Sequence, residues 1–83
     1  MEPEFSRHAI DQMAHRSIPK AIVLYVVLEP DTVMDQNESI RIYSKLYIID
    51  AKKYVYRVFV NYTKIPMVII TVYRTSKIEK YGY

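Results

Sequence analysis

Apolar positions along the chain follow two different periods. Between Ser6 and Arg16 the spacing is helical. At 100° per residue Ala9, Ile10, Met13 and Ala14 form one arc, and His8, Asp11, Gln12, His15 and Arg16 form the contiguous polar one. This predicts an amphipathic helix with Ser6 as its N-cap. The segment Ala21 to Leu28 is apolar nearly all round and rich in β-branched residues, so its period fits a buried helix or a buried strand. Pro19 suits the first turn of a helix and Pro30 stops one, which predicts a second helix from Pro19 to about Leu28.

From Asp31 onward the period is two. Asp31 to Met34 reads as a short strand and Asp35 to Ser39 as a turn. Ile40, Ile42, Leu46 and Ile48 then alternate with Arg41, Tyr43, Lys45 and Tyr47, one set greasy and the other basic and aromatic. Asp50 to Lys53 reads as the next turn, followed by a strand in which Tyr54, Tyr56, Val58, Val60 and Tyr62 alternate with Val55, Arg57, Phe59 and Asn61. Thr63 to Pro66 turns again, and Met67 to Arg74 closes the set with Val68, Ile70 and Val72 facing inward. Residues 75–83 form a polar, basic tail. This order predicts a single α+β domain over residues 1–83, with two N-terminal helices packed on one face of a four-stranded antiparallel sheet. The other face is left to solvent or a ligand and is expected to carry Arg41, Tyr43, Lys45, Tyr47, Arg57, Thr71 and Tyr73.

Composition narrows the function classes. The chain has no cysteine, which excludes disulfides and cysteine-rich zinc sites. Its longest apolar run is too short to span a bilayer, and its start lacks the basic and apolar pattern of a signal peptide, so a cytoplasmic, non-membrane protein is expected. Charge is divided by chain half. Residues 1–38 carry three Lys/Arg against seven acids, and residues 39–83 carry nine against Asp50 and Glu79. A basic, tyrosine-rich half invites a polyanion such as RNA, whose phosphates the cations neutralise while the rings stack on bases. The same residues also serve ordinary cross-strand pairing.

Candidate chemistry gathers on the first helix. Asp11 and His15 are four apart and can touch, His8 lies two turns back, and Arg16 borders them. A histidine beside an arginine can do acid–base work on a phosphodiester, with the cation offsetting charge that develops in the transition state. Arg7 competes for Asp11. Two histidines seven residues apart stand about 10 Å apart along the axis, too far to share an ion, so no metal and no cofactor are expected. A Gly-rich phosphate loop, a serine nucleophile elbow and an EF-hand loop are all missing from the sequence.

The stretch Ser6-Arg-His8-Ala9-Ile-Asp-Gln-Met13-Ala-His-Arg16-Ser-Ile18, followed by Leu28-Glu-Pro30-Asp31-Thr-Val33, resembles the opening of the uncharacterised prokaryotic domain-of-unknown-function family 4258. The ending Val68-Ile-Ile-Thr71-Val72-Tyr73-Arg74 is similar to that family's closing strand. The family is in turn similar to the RelE-like toxins, small ribonucleases or ribonuclease-like partners in toxin–antitoxin pairs with a helix–helix–sheet plan. The resemblance implies that His8 and Arg16 hold the family's helix positions, and Thr71 and Tyr73 its last-strand positions. The chain departs from the pattern at Gln12, where arginine is usual, and at Ser17, where glycine is usual. His15 is not part of that pattern.

Two functions from different classes follow. One is an endoribonuclease that binds RNA on the open sheet face. There His8 or His15 acts as base toward a ribose 2′-OH, and Arg16, Lys45 or Arg74 stabilises the phosphorane. Arg74 has the opposite parity to Thr71 and Tyr73 and reaches that face only where the strand ends or twists. The other is a non-catalytic interaction module of the same fold. The second helix has more apolar surface than so small a domain can cover, which predicts an antitoxin-like partner or a homodimer through it.

Overall fold

In the computed structural model, which describes residues 2–83, Ser6 opens helix α1 (Arg7–Arg16). Its hydroxyl oxygen accepts from the Ala9 amide at 3.1 Å and donates to the Ile70 carbonyl at 3.3 Å, so the cap also ties the helix to the sheet. The helix ends where Ser17 takes a left-handed conformation, φ 53°. There the Ser17 amide donates to the Ala14 carbonyl and the Ile18 amide to that of Met13, while buried Ile18 brings its side chain into the core Met13 packs against. Helix α2 (Lys20–Leu28) starts directly after Pro19, which is its N-cap, and Pro30 follows its end. The helical reading of this β-branched segment holds. Val23 and Val26 are fully buried, whereas Tyr25 is 47% and Leu28 75% exposed.

The sheet has five strands in the order β1-β5-β4-β3-β2: β1 (Glu4–Phe5), β2 (Thr32–Asp35), β3 (Ile40–Ile49), β4 (Lys52–Asn61) and β5 (Val68–Thr75). The expected four-stranded antiparallel sheet is therefore corrected to a five-stranded mixed one. The two-residue β1 runs parallel to Val68 and Ile69 of β5, and two residues carry no readable period. No described helix is long and apolar enough to cross a membrane.

The face assignment of β3 is also corrected. The turn between β3 and β4 is two residues, Asp50 and Ala51, both at positive φ, and it sets Ile49 opposite Lys52. Reading the greasy set Ile40, Ile42, Leu46 and Ile48 as the inward one puts the basic and aromatic set outside. Because the far face also buries residues, Ile42 and Val55 among them, the apolar character of a set does not tell which face meets the helices. In the structure Tyr43 pairs with Val58 and Tyr47 with Tyr54, so Arg41, Tyr43, Lys45 and Tyr47 lie on the helix side. A second irregularity shifts β5. Phe59 pairs with Thr71 but Val60 pairs with Ile69, so Ile70 is an extra residue and Ile69, not Ile70, is fully buried.

The helix-side core is Ala9, Ile18, Val23, Val26, Tyr56, Val58, Val60, Ile69 and Val72. The far face is covered too. Ile42 and Val55 are buried outside that cluster, and on this face the chain that follows β5 forms a single 3-10 turn (Ile78–Tyr81) that packs on β4. Residues 75–83 are thus a strap across the face expected to be open.

Ser17 and Ala51 hold left-handed backbone that glycine adopts without a Cβ penalty. Ser17→Gly and Ala51→Gly are each expected to raise stability by about 1 kcal/mol in denaturant unfolding. A loss in either would contradict the backbone described.

Candidate nucleic-acid interface

Two adjacent rungs of the β4–β5 ladder carry the same pair of residue types on opposite faces. Arg57 pairs across the strands with Tyr73, and Tyr56 with Arg74. On the far face the Arg57 Nη1 donates to the Tyr73 hydroxyl at 2.7 Å, and its Nε approaches the Ser44 hydroxyl at 3.4 Å. Its guanidinium lies 4.4 Å from the centre of the Tyr81 ring, with the Phe59 and Tyr73 rings at 5.7 and 5.8 Å. On the helix side Arg74 Nη1 donates to the Tyr56 hydroxyl at 3.0 Å and stacks 4.8 Å from the Tyr54 ring centre.

The far-face cluster is the one with convergent polar groups. The strap brings the Tyr81 hydroxyl to 3.4 Å from that of Tyr73. The two phenols are pushed apart. Burial raises Tyr73, against the opposing pull of Arg57, while the hydrogen bond from Tyr73 and the charge of Arg57 lower Tyr81. Tyr73 is thus the proton holder and Tyr81 the more acidic phenol. Thr71 stands on the same face two rungs along, opposite Phe59.

The other expected site residues separate from this cluster. Arg41 is bound to Asp35, Nε to Oδ1 at 2.9 Å, and stacks 4.0 Å from the centre of the Tyr62 ring. Lys45 donates to the Glu29 carbonyl at 2.7 Å, closing the end of α2, and its ammonium sits 3.5 Å from Asp31. Tyr47 packs edge-on against Tyr56 with ring centres 5.1 Å apart. The expected placement of Arg41, Tyr43, Lys45 and Tyr47 on an open face is therefore withdrawn, and Arg41 and Lys45 serve the fold. Only Arg57, Thr71 and Tyr73 of the seven share the far face. His8, His15 and Arg16 are exposed on α1, across the sheet from Arg57. Asp11 pairs with Arg7 at 3.4 Å, the competitor for His15. Arg74 lies on the helix side, as its parity requires. Gln12, at the position where an arginine was expected, accepts from the Val72 amide at 2.8 Å and satisfies a β5 donor beyond the bulge.

A family model described as a domain of unknown function (DUF4258) matches residues 5–74. The chain belongs to the DUF4258 family. No curated protein and no solved structure matches it significantly. The DUF4258 match ends at Arg74, so Tyr81 and Tyr83, which complete the far-face arrangement, stand beyond it. Sequence reasoning missed both. The available signal was the spacing of Ile78, Tyr81 and Tyr83, apolar and aromatic positions in a tail otherwise polar.

The strap is latched at its end, where the Tyr83 hydroxyl donates to Asp31 Oδ2 at 3.0 Å. Burial and this bond push Tyr83 up to about 12 from 10.0. The Leu46 amide, with help from Tyr83 and Lys45, holds Asp31 below its ordinary value of 3.8. A raised phenol stabilises the folded state below its unfolded pKa and loses that contribution as pH climbs through the folded one. A lowered carboxyl does so above its unfolded pKa and loses it as pH falls. The latch is expected to hold from about pH 5 to 9 and to loosen at both extremes, seen as faster amide exchange in residues 76–83. Tyr83→Phe should abolish the alkaline limb and weaken the acid one, since the Tyr83 hydroxyl is among the donors that lower Asp31.

Proposed function

We propose that this chain is a RelE-like ribonuclease whose phosphodiester site is the far-face cluster of Arg57, Tyr73 and Tyr81. The observation that carries the reading is a half-buried guanidinium held between two phenols of opposite pKa tendency. Pairs of titratable groups driven apart by their surroundings are what acid–base catalysis needs. Tyr81, as phenolate, takes the proton of a ribose 2′-OH, and the oxygen attacks the adjacent phosphorus. Arg57 offsets the charge of the phosphorane, and Tyr73 protonates the departing 5′-oxygen. The products are a 2′,3′-cyclic phosphate and a 5′-hydroxyl, with proton and electron pairs balanced. Lys77 and Lys80 on the strap add positive charge beside the site.

This assignment replaces the helix residues His8, His15 and Arg16 as the acid–base set, because the body of the sheet stands between them and Arg57. A second reading rests on α2. Leu24, Val27 and Leu28 line a cleft of about 450 Å³ with Pro3 and Met67, an apolar surface suited to a protein partner, whether an antitoxin-like chain or a second copy. Under that reading the domain is an interaction module, and the Arg57 cluster only stabilises the strap.

Cleavage of a single-stranded RNA by the purified chain separates the two. Arg57→Ala and Tyr81→Phe are expected to lower the rate about 10²-fold or more, and His8→Ala to leave it unchanged. Arg57→Ala should also reduce the log K against log salt slope by about 0.7, whereas Arg41→Ala and Lys45→Ala should cost stability without changing that slope. Cleavage lost with His8→Ala but kept with Arg57→Ala would return the site to α1. No cleavage by the wild type would leave the module.

A further inference from the structure

Among the described residues the sheet ends on one side at β2, which pairs only with β3. Gln36 donates its amide to the Ile40 carbonyl at 2.9 Å, and this fixes the alternation along the strand. The backbone groups of Thr32 and Met34 face β3, and those of Val33 and Asp35 face outward with no strand to receive them. All four side chains are exposed, Val33 at 49% and Met34 at 57%. Soluble proteins blunt such edges with lysine or proline, and this strand, Thr-Val-Met-Asp, has neither. The edge is instead bordered by carboxylates. Asp31 and Asp35 have Lys45 and Arg41 as partners, while Glu29 and Glu38 form no ion pair among the described residues.

We propose that β2 accepts an extended basic peptide as a sixth strand. The main chain of the peptide pairs with the outward amides and carbonyls of Val33 and Asp35, the mode in which strand addition gives affinity through backbone hydrogen bonds. Specificity comes from the alternation of faces. Asp35 and Val33 lie on the helix side, where Glu29 ends α2, so the peptide's side chains there are lysine or arginine. Met34 lies on the opposite side with Ile42, so the alternate side chains are apolar. A second copy of this chain is the poorer occupant. Its own β2 would bring a matching set of carboxylates to the edge, and four residues bury far less than the roughly 1,200 Å² of a stable dimer. The proposal is independent of the ribonuclease reading, since β2 and Arg57 are separated by β3.

The test is titration of the isotope-labelled full chain with a capped Lys-Val-Lys-Val-Lys-Val-Lys peptide, followed by amide shifts and exchange. The expected result is slowed exchange at Val33 and Asp35 and binding that weakens with salt. Val33→Pro removes an outward amide while sparing the ladder to β3, and should weaken binding roughly tenfold. The same peptide N-methylated at alternate residues should fail to bind the wild-type chain, which keeps the test valid if Val33→Pro does not fold. Equal affinity for the methylated peptide, or shifts that avoid β2, would overturn the proposal. So would light scattering showing a dimer that Val33→Pro dissolves, because the edge would then belong to a second copy.

Discussion

Strand β4 is buried from both sides at once. Tyr56, Val58 and Val60 point into the helices and are at most 1% exposed, while Val55, on the opposite face, is fully buried. A strand covered on both faces cannot slide by one residue without exchanging one packed set for the other. Its neighbours inherit that constraint. The two-residue Asp50–Ala51 turn locks β3 in register, and the extra Ile70 lets β5 present Val72 and Ile69 to the same core.

The arginines follow from this arrangement. Positions 57 and 74 fall on opposite faces of neighbouring rungs, each beside a cross-strand tyrosine whose hydroxyl accepts from it. Stacking and hydrogen bonding hold both guanidiniums in place. The two differ in what surrounds them. Arg74 meets the rings of Tyr54 and Tyr56, whereas Arg57 meets, through the strap, a second phenol that the Tyr73 hydrogen bond acidifies with help from the same charge. Latching the strap to Asp31 therefore does more than cover β4, since it completes the only cluster in which an arginine and two phenols of unlike acidity converge among the described residues.

Much of the fold was legible in the sequence. Ser6 as a cap, the amphipathic arc of α1, the two prolines that bracket α2 and the period-two strands all read correctly, because each is a local signal. The errors came from non-local geometry. The apolar set of β3 read as the inward one, yet with both faces of the sheet covered the apolar content of a strand does not decide which side Arg41 and Lys45 occupy. The Ile70 bulge has no signature in a run of Val, Ile and Thr, and β1 is too short for any period. At the site, Arg57, Thr71 and Tyr73 were legible from parity alone. Tyr81 and Tyr83 were not, because a tail's return across the sheet depends on what it finds there, here Arg57 and Asp31.

The central claim is that the strap-covered face, and not α1 or the outer positions of β3, is where a polyanion is met. Titrating a labelled chain with a short single-stranded RNA and mapping the shifts tests it most directly. The account predicts the largest changes at the Arg57 Nε and at the amides of Tyr73, Lys80 and Tyr81, with His8, Arg16, Arg41 and Lys45 nearly still. Changes concentrated on α1 or around Arg41, with Arg57 unmoved, would contradict it.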